Sequence, residues 1–174
     1  TVVVKPHELT PLAAIHLAKL EEEAKIPRGV VNVVTGDGKD VGVPIVAHKD
    51  IRLITMTGST PAGKKIMAAA AETLKEVRLE LGGKAPFIVM EDADIEKAAE
   101  AAVVSRFMNT GQVCTCNERT YIHESIYDAF VAKVRQKIEA LTVGLPTAPQ
   151  TDMGPKVSLP ERAKVLELVD SAIK

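Results

Sequence analysis

Cys114 is a residue whose side chain could act as a nucleophile in this sequence. It lies in Phe107-Met108-Asn109-Thr110-Gly111-Gln112-Val113-Cys114-Thr115-Cys116-Asn117-Glu118, a stretch of turn-formers between a helical pattern and a strand-like one. A thiol attacks as its thiolate, and with an unperturbed pKa of about 8.5 only a few per cent is ionised at neutral pH. Nucleophilic use therefore needs a base or a positive field nearby; read alone, a free cysteine is more often an inert buried residue. Glu80 is a carboxylate that could serve such a thiol. It ends a strand-like run beside Gly82 and Gly83, where glycines let backbone and ligand approach closely. In isolation, a solvated strand-end Glu is the commoner reading. The third feature is Gly58-Ser59-Thr60-Pro61-Ala62-Gly63, between a strand-like run and a helical one. Its backbone N–H groups and the helix dipole suit an anion such as a pyrophosphate. The Gly-x-x-x-x-Gly spacing is neither the Gly-x-Gly-x-x-Gly fingerprint nor a P-loop, and a well-capped helix with Pro61 in its first turn explains it equally.

The remaining polar groups are blander. Glu91, Asp92 and Asp94 suit a helix start, and His7, His16, His48 and His123 share no metal-ligand spacing. Two cysteines one residue apart are too few for a disulfide framework or a four-ligand zinc site.

These residues must be positioned by alternating strands and helices. Val2–Val4 reads as a strand, and Thr10-Pro11 as the N-cap and first turn of a helix running to about Ala24. Val30–Val34 is the next strand, with a short helix near residues 40–47. Ile51–Met56 precedes the glycine segment and a helix over residues 64–74; Val77–Leu81 and Pro86–Met90 flank the double glycine. Asp92-Ala93-Asp94 opens a helix over Ile95–Phe107, Thr120–His123 is a strand, Ser125 N-caps a helix to Leu141, and a last helix begins near Leu159. Such alternation predicts a parallel α/β sheet covered on both faces, with a domain boundary at Gly82-Gly83.

The composition, 46% hydrophobic and 26% charged with a net charge of −1 over 174 residues, is that of a soluble globular chain. It suggests no nucleic-acid partner, and no apolar run approaches the roughly 20 residues of a membrane span. The start carries neither an initiator Met nor a signal segment and reads as cut, with the cytoplasm as the default compartment.

Taken together, the segments resemble the aldehyde dehydrogenase superfamily along essentially the whole chain. Leu79-Glu80-Leu81-Gly82-Gly83-Lys84-Ala85-Pro86 resembles the family's glutamate signature and Phe107 to Glu118 its cysteine signature. The 34-residue interval (114 − 80) is also the family's. Lys5-Pro6-His7-Glu8 and Gly58 to Gly63 match its cofactor segments in order. The resemblance implies an α/β fold: the later part of a Rossmann-type NAD(P)-binding domain over residues 1–83 and the first half of an α/β catalytic domain over 84–174. It implies that Lys5 and Glu8 meet the adenosine ribose, Gly58 and Ser59 the pyrophosphate, and Leu81 and Gly82 the nicotinamide end. Glu8 would repel a ribose phosphate, so NAD is preferred and NADP is the alternative. Cys114 is then the nucleophile and Glu80 the base that hydrolyses the thioester, giving a free acid from a small aldehyde. Lys64-Lys65-Ile66-Met67, Lys84-Ala85-Pro86-Phe87 and the Cys-x-Cys pair look most like the branch of lactaldehyde or glycolaldehyde and succinate-semialdehyde dehydrogenases. Some of the last use such a pair as a redox switch; packing alone also accounts for Cys116. The complete enzyme is expected to be a homo-oligomer.

By the same resemblance, the family's side-chain oxyanion donor falls before residue 1, and the later Glu that grips the nicotinamide ribose falls after residue 174. Loss of one oxyanion donor costs roughly 100- to 1000-fold in rate. The rival readings are a non-catalytic nucleotide-binding or assembly module and a cofactor-free thioester hydrolase. The 174-residue chain alone is expected to be inactive; aldehyde-dependent NADH formation by material whose intact mass is 18.6 kDa would refute this.

Overall fold

Strands running in the same direction cannot be joined by a tight turn, so each parallel pair needs a crossover connection. The computed structural model, which describes residues 1–174, contains three such pairs. In the first, β1 (Val2–Val4) is followed by α1 (Leu12–Glu23) and pairs with β2 (Val31–Val33). A wide turn of π-helical geometry, Gly38–Gly42, then leads into the short α2 (Val43–Ala47). In the second pair, β3 (Leu53–Thr57) crosses through α3 (Thr60–Ala71) to β4 (Glu76–Glu80), in register from Leu53↔Glu76 to Thr57↔Glu80. In the third, β5 (Ala85–Val89) crosses through α4 (Ile95–Phe107) to β6 (Asn117–Ile122). The chain ends with α5 (Tyr127–Glu139) and α6 (Leu159–Ile173). It divides into two compact units, Thr1–Leu81 and Gly82–Lys174.

Element types follow the sequence pattern, and the differences have local causes. The Thr10 cap does not form: α1 starts after Pro11, whose φ of −83° is already helical, and Thr10 N–H instead closes a turn onto the His7 carbonyl at 3.0 Å. In α3 the capping residue is Ser59, whose Oγ accepts from Ala62 N–H at 3.4 Å, so this helix begins at Thr60 rather than Lys64. Ser125 does not cap α5. His123 Nδ1 accepts its N–H at 3.3 Å, and a short 3-10 turn, Glu124–Ile126, intervenes. Strand β6 starts three residues early because Asn117 pairs with Ala85. Pro86 then pairs with Arg119, leaving Glu118 as a bulge residue where a strand tolerates a proline that cannot donate.

The expectation of a sheet covered on both faces is not met. Burial alternates along β4 and β5, the mark of strands with one covered and one open face. Pairs of two strands, each with one crossover helix, cannot cover two faces. Apolar side chains on the helices are also left open, including Leu12 and Leu159, at 77% and 80% exposure. No helix is long and apolar enough to cross a membrane.

The clearest core lies in the second unit, where Val89, Ala99, Ala102 and Phe130 are buried together beneath Phe87, Ile95, Ile122 and Val134. The alanines of α4 let α5 approach closely enough for charges at the rim to pair. Lys137 and Lys133 lie 2.7 and 3.0 Å from Glu96, and Glu100 is 3.7 Å from Lys137. Hydrogen bonding to Lys137, then to Lys133, holds the Glu96 carboxyl below its ordinary 4.5, and Glu96 in turn raises Lys137. A depressed carboxyl pKa contributes stability that is present above the unfolded-state value and lost as pH falls through the folded one. Glu96→Gln is therefore expected to lower the melting temperature modestly at neutral pH, since exposed pairs are worth little. Melts across the acid range should show the gap from wild type closing below roughly pH 4; a gap independent of pH would refute the ion-pair account.

Candidate functional site

In a parallel α/β unit, loops at the carboxyl ends of the strands are where ligands are held. Residues expected at a cofactor collect there in the first unit. Beyond β1, Lys5 donates from Nζ to the carbonyls of Pro6 at 2.7 Å and Gly36 at 3.0 Å, the latter just beyond β2. Glu8 Oε2 stands 3.8 Å from the same nitrogen. An ammonium has three donors, so Lys5 keeps one for an incoming hydroxyl, and the half-exposed Glu8 can accept one.

At the other pair, the Thr57↔Glu80 register puts Glu80 beside the turn that enters α3, and Gly58 N–H donates to the Glu80 carbonyl at 2.9 Å. That bond occupies the Gly58 amide. The Ala62 amide is taken by Ser59 Oγ and the Gly63 amide by the Ser59 carbonyl, at 3.0 Å, while Pro61 has none to offer. The Ser59 and Thr60 amides find no acceptor in the chain, and the helix dipole adds to their pull on an anion. Of the two residues expected at the pyrophosphate, Ser59 keeps its amide free while the Gly58 amide is bonded within the chain. Leu81 packs on α3 instead of projecting freely: a Cβ at Gly63 would lie 2.9 Å from its Cδ2. The Glu80 side chain is exposed and has no ion-pair or hydrogen-bond partner.

The second unit holds the thiol. Asn109, Thr110 and Gly111 all have left-handed backbone, with φ of 49°, 61° and 70°. For a β-branched Thr this conformation is strained. Reciprocal bonds close the loop, Asn109 Nδ2 to the Gln112 carbonyl at 3.2 Å and Gln112 Nε2 to the Asn109 carbonyl at 3.0 Å. A turn follows, with Cys116 N–H donating to the Val113 carbonyl at 3.3 Å, and Cys114 rides on it with an exposed thiol. The Cys114 N–H has no acceptor in the chain.

Cys116 is the opposite case. It is buried, and its Sγ lies 4.0 Å from the Arg106 carbonyl, so it packs beneath the loop while both thiols remain free. Arg106 Nη1 donates to the Asn117 carbonyl at 3.0 Å and so ties the end of α4 to the start of β6. No cluster of three His, Cys, Asp or Glu is close enough to hold a metal ion.

Parallel pairing of β5 and β6 brings together the segments just ahead of each strand. There Gly83 lies so close that an added Cβ would stand 3.0 Å from the Cys114 carbonyl oxygen. Gly83→Ala is expected to press its methyl on the Cys114 carbonyl, costing about 1–3 kcal/mol as overpacking does. It should also slow alkylation of Cys114; unchanged melting and thiol reactivity would show that the loop yields freely.

The aldehyde dehydrogenase family profile matches residues 1–174. The 3,6-anhydro-alpha-L-galactose dehydrogenase of Vibrio sp. (strain EJY3) is 52% identical over 174 residues, all of this chain and 36% of the relative. A structure of 3,6-anhydro-L-galactose dehydrogenase in complex with NAP superposes with a TM-score of 0.92 at 54% identity, over 99% of this chain and 36% of that one. Lactaldehyde dehydrogenase from Escherichia coli does so at 0.93 and 45% identity, again over 99% and 36%. The chain thus spans about a third of the length of the relatives it matches. With a profile match along its whole length and a thiol-bearing loop of the kind just described, the chain belongs to the aldehyde dehydrogenase family.

Proposed function

We propose that the protein oxidises a small hydroxy- or carboxy-aldehyde to its carboxylic acid with NAD, NADP being the alternative cofactor. The observation that carries this reading is Cys114: an exposed thiol on a strained, hydrogen-bonded loop, with its own amide unpaired. The first unit suits the cofactor. Its ribose hydroxyls would meet Lys5 and Glu8, its pyrophosphate the Ser59 and Thr60 amides at Gly58, and its nicotinamide end Leu81 and Gly82. Glu8 beside Lys5 favours an unphosphorylated ribose, since a carboxylate repels a phosphate.

Cys114 Sγ, as thiolate, forms a C–S bond to the aldehyde carbon, and the carbonyl oxygen takes the negative charge. The Cys114 N–H, free of other acceptors, is available to donate to that oxyanion. Bound NAD supplies the two-electron acceptor for the hydride that leaves the same carbon, and the protein is left as a thioester on Sγ. The Glu80 carboxylate removes a proton from water, which adds to the thioester carbon; the C–S bond breaks and the thiolate returns. The resemblance of Leu79 to Pro86 to the family's glutamate signature supports Glu80 in this role. The two units correspond to the cofactor and catalytic domains. The substrate class follows from similarity to dehydrogenases of lactaldehyde and 3,6-anhydro-galactose. A cytoplasmic homo-oligomer is the setting expected for the complete enzyme.

Absorbance of NADH formed by the complete enzyme from lactaldehyde, glycolaldehyde and succinate semialdehyde tests the reading. Cys114→Ala is expected to abolish turnover. Glu80→Gln should release about one equivalent of NADH, then stall as a thioester visible in the intact mass, with steady turnover down roughly 100- to 10,000-fold, the usual worth of a general base. Turnover that survives Cys114→Ala would remove the thiol from the mechanism.

A further inference from the structure

A left-handed run that includes a β-branched residue persists only where its surroundings over-determine it, and here the surroundings are a distant segment. Thr110 Oγ1 donates to the Gly154 carbonyl at 2.9 Å, and Lys156 Nζ donates to the Thr110 carbonyl at 3.2 Å. Val157 N–H donates to Gln112 Oε1 at 3.1 Å. Three bonds from residues 154–157 thus reach both Thr110 and Gln112, more than forty residues earlier in the chain.

That segment is itself anchored. Thr142, just past α5, accepts from the amides of Asp152 at 2.9 Å and Met153 at 3.2 Å and donates its own N–H to Asp152 Oδ2 at 2.9 Å; Gly144 N–H bonds the Met153 carbonyl at 3.1 Å. On its far side, Ser158 caps α6. The Lys156 amine is half-buried and has no carboxylate partner, so its engagement with the Thr110 carbonyl is its fixed contact.

We propose that Thr110, Lys156 and Gln112 form a clamp that holds the Cys114 loop in its left-handed conformation, and that Thr110 and Lys156 are positioning residues for the nucleophile and its amide. The inference rests on the proposed role of Cys114. The clamp holds Gly111 and Gln112 on the N-terminal side of the Val113–Cys116 turn, while Arg106 and the buried Cys116 hold its C-terminal side. Cys114 then stands between two fixed points with its thiol and N–H directed by backbone instead of by side-chain contacts.

Thr110→Val tests this sharply because it keeps the β-branch, and with it the backbone preference, while deleting the donor. Lys156→Met deletes the other, and Thr110→Ser is the rescue. Each protein is compared with wild type by hydrogen exchange of the peptide covering residues 109–116 and by the iodoacetamide reaction rate of Cys114, with Cys116 as internal reference. Loss of one bond should accelerate exchange about fivefold, the change that ~1 kcal/mol gives. It should also raise Cys114 alkylation severalfold, with Cys116 still protected and exchange in α4 unchanged; Thr110→Ser should restore both. Wild-type behaviour in Thr110→Val and Lys156→Met would overturn the clamp. So would simultaneous labelling of both cysteines with loss of α4 protection, which marks general unfolding in place of positioning. Neither readout needs catalysis, so an absence of aldehyde oxidation in the complete enzyme would count against the proposed function and leave the clamp to be judged on these measurements.

Discussion

Parallel strand pairing is the constraint from which most of this structure follows. Because two strands running the same way need a connection of a dozen or more residues, α1, α3 and α4 are consequences of the pairing as much as elements in their own right. The same geometry gathers loops from distant sequence at one edge. Lys5 meets the Gly36 carbonyl because β1 and β2 end together, and Gly58 meets Glu80 because β3 and β4 do. In the second unit the residues gathered are those ahead of the strands. Gly83 and Cys114 are neighbours because Ala85 and Asn117 are partners.

Close approach then selects the residue types at those edges. A side chain at Gly83 would press on the Cys114 carbonyl, and one at Gly63 on Leu81. Where the backbone turns left-handed, Gly111 takes the conformation at no steric cost, but Asn109 and Thr110 do not. Asn109 compensates with its reciprocal bonds to Gln112, and Thr110 through Gly154 and Lys156. An exposed thiol thus stands on a loop whose shape is maintained by hydrogen bonds on both sides and by a buried second cysteine beneath it.

Packing divides differently between the units. The second unit has a core around Phe130 and Val89, built on small alanines of α4 and rimmed by the Glu96, Lys133 and Lys137 charges. In the first unit Ile54, Gly63 and Ala70 are the buried residues, and β1 keeps Val2 and Val3 largely open. Apolar surface of this kind is what further strands and helices cover in an α/β sheet.

The sequence by itself determined the element types, the strand–helix alternation, the family and the identity of the candidate nucleophile and base. Those properties are local: hydrophobic period, capping chemistry, and ordered motifs such as Leu79 to Pro86 and Phe107 to Glu118 are written in contiguous residues. Element ends were less legible. Thr10 and Ser125 look like caps, but α1 starts from Pro11 and α5 from Ile126, after a 3-10 turn that His123 caps, through turns that only the folded backbone defines. Tertiary structure alone decided that Thr60 and not Gly58 offers a free amide, that Cys116 is buried while Cys114 is exposed, and that Lys156 reaches Thr110. Each of these depends on which donor finds which acceptor across tens of residues. Spacing along a chain does not encode that information, because it is set by strand register and by the route of a connecting loop.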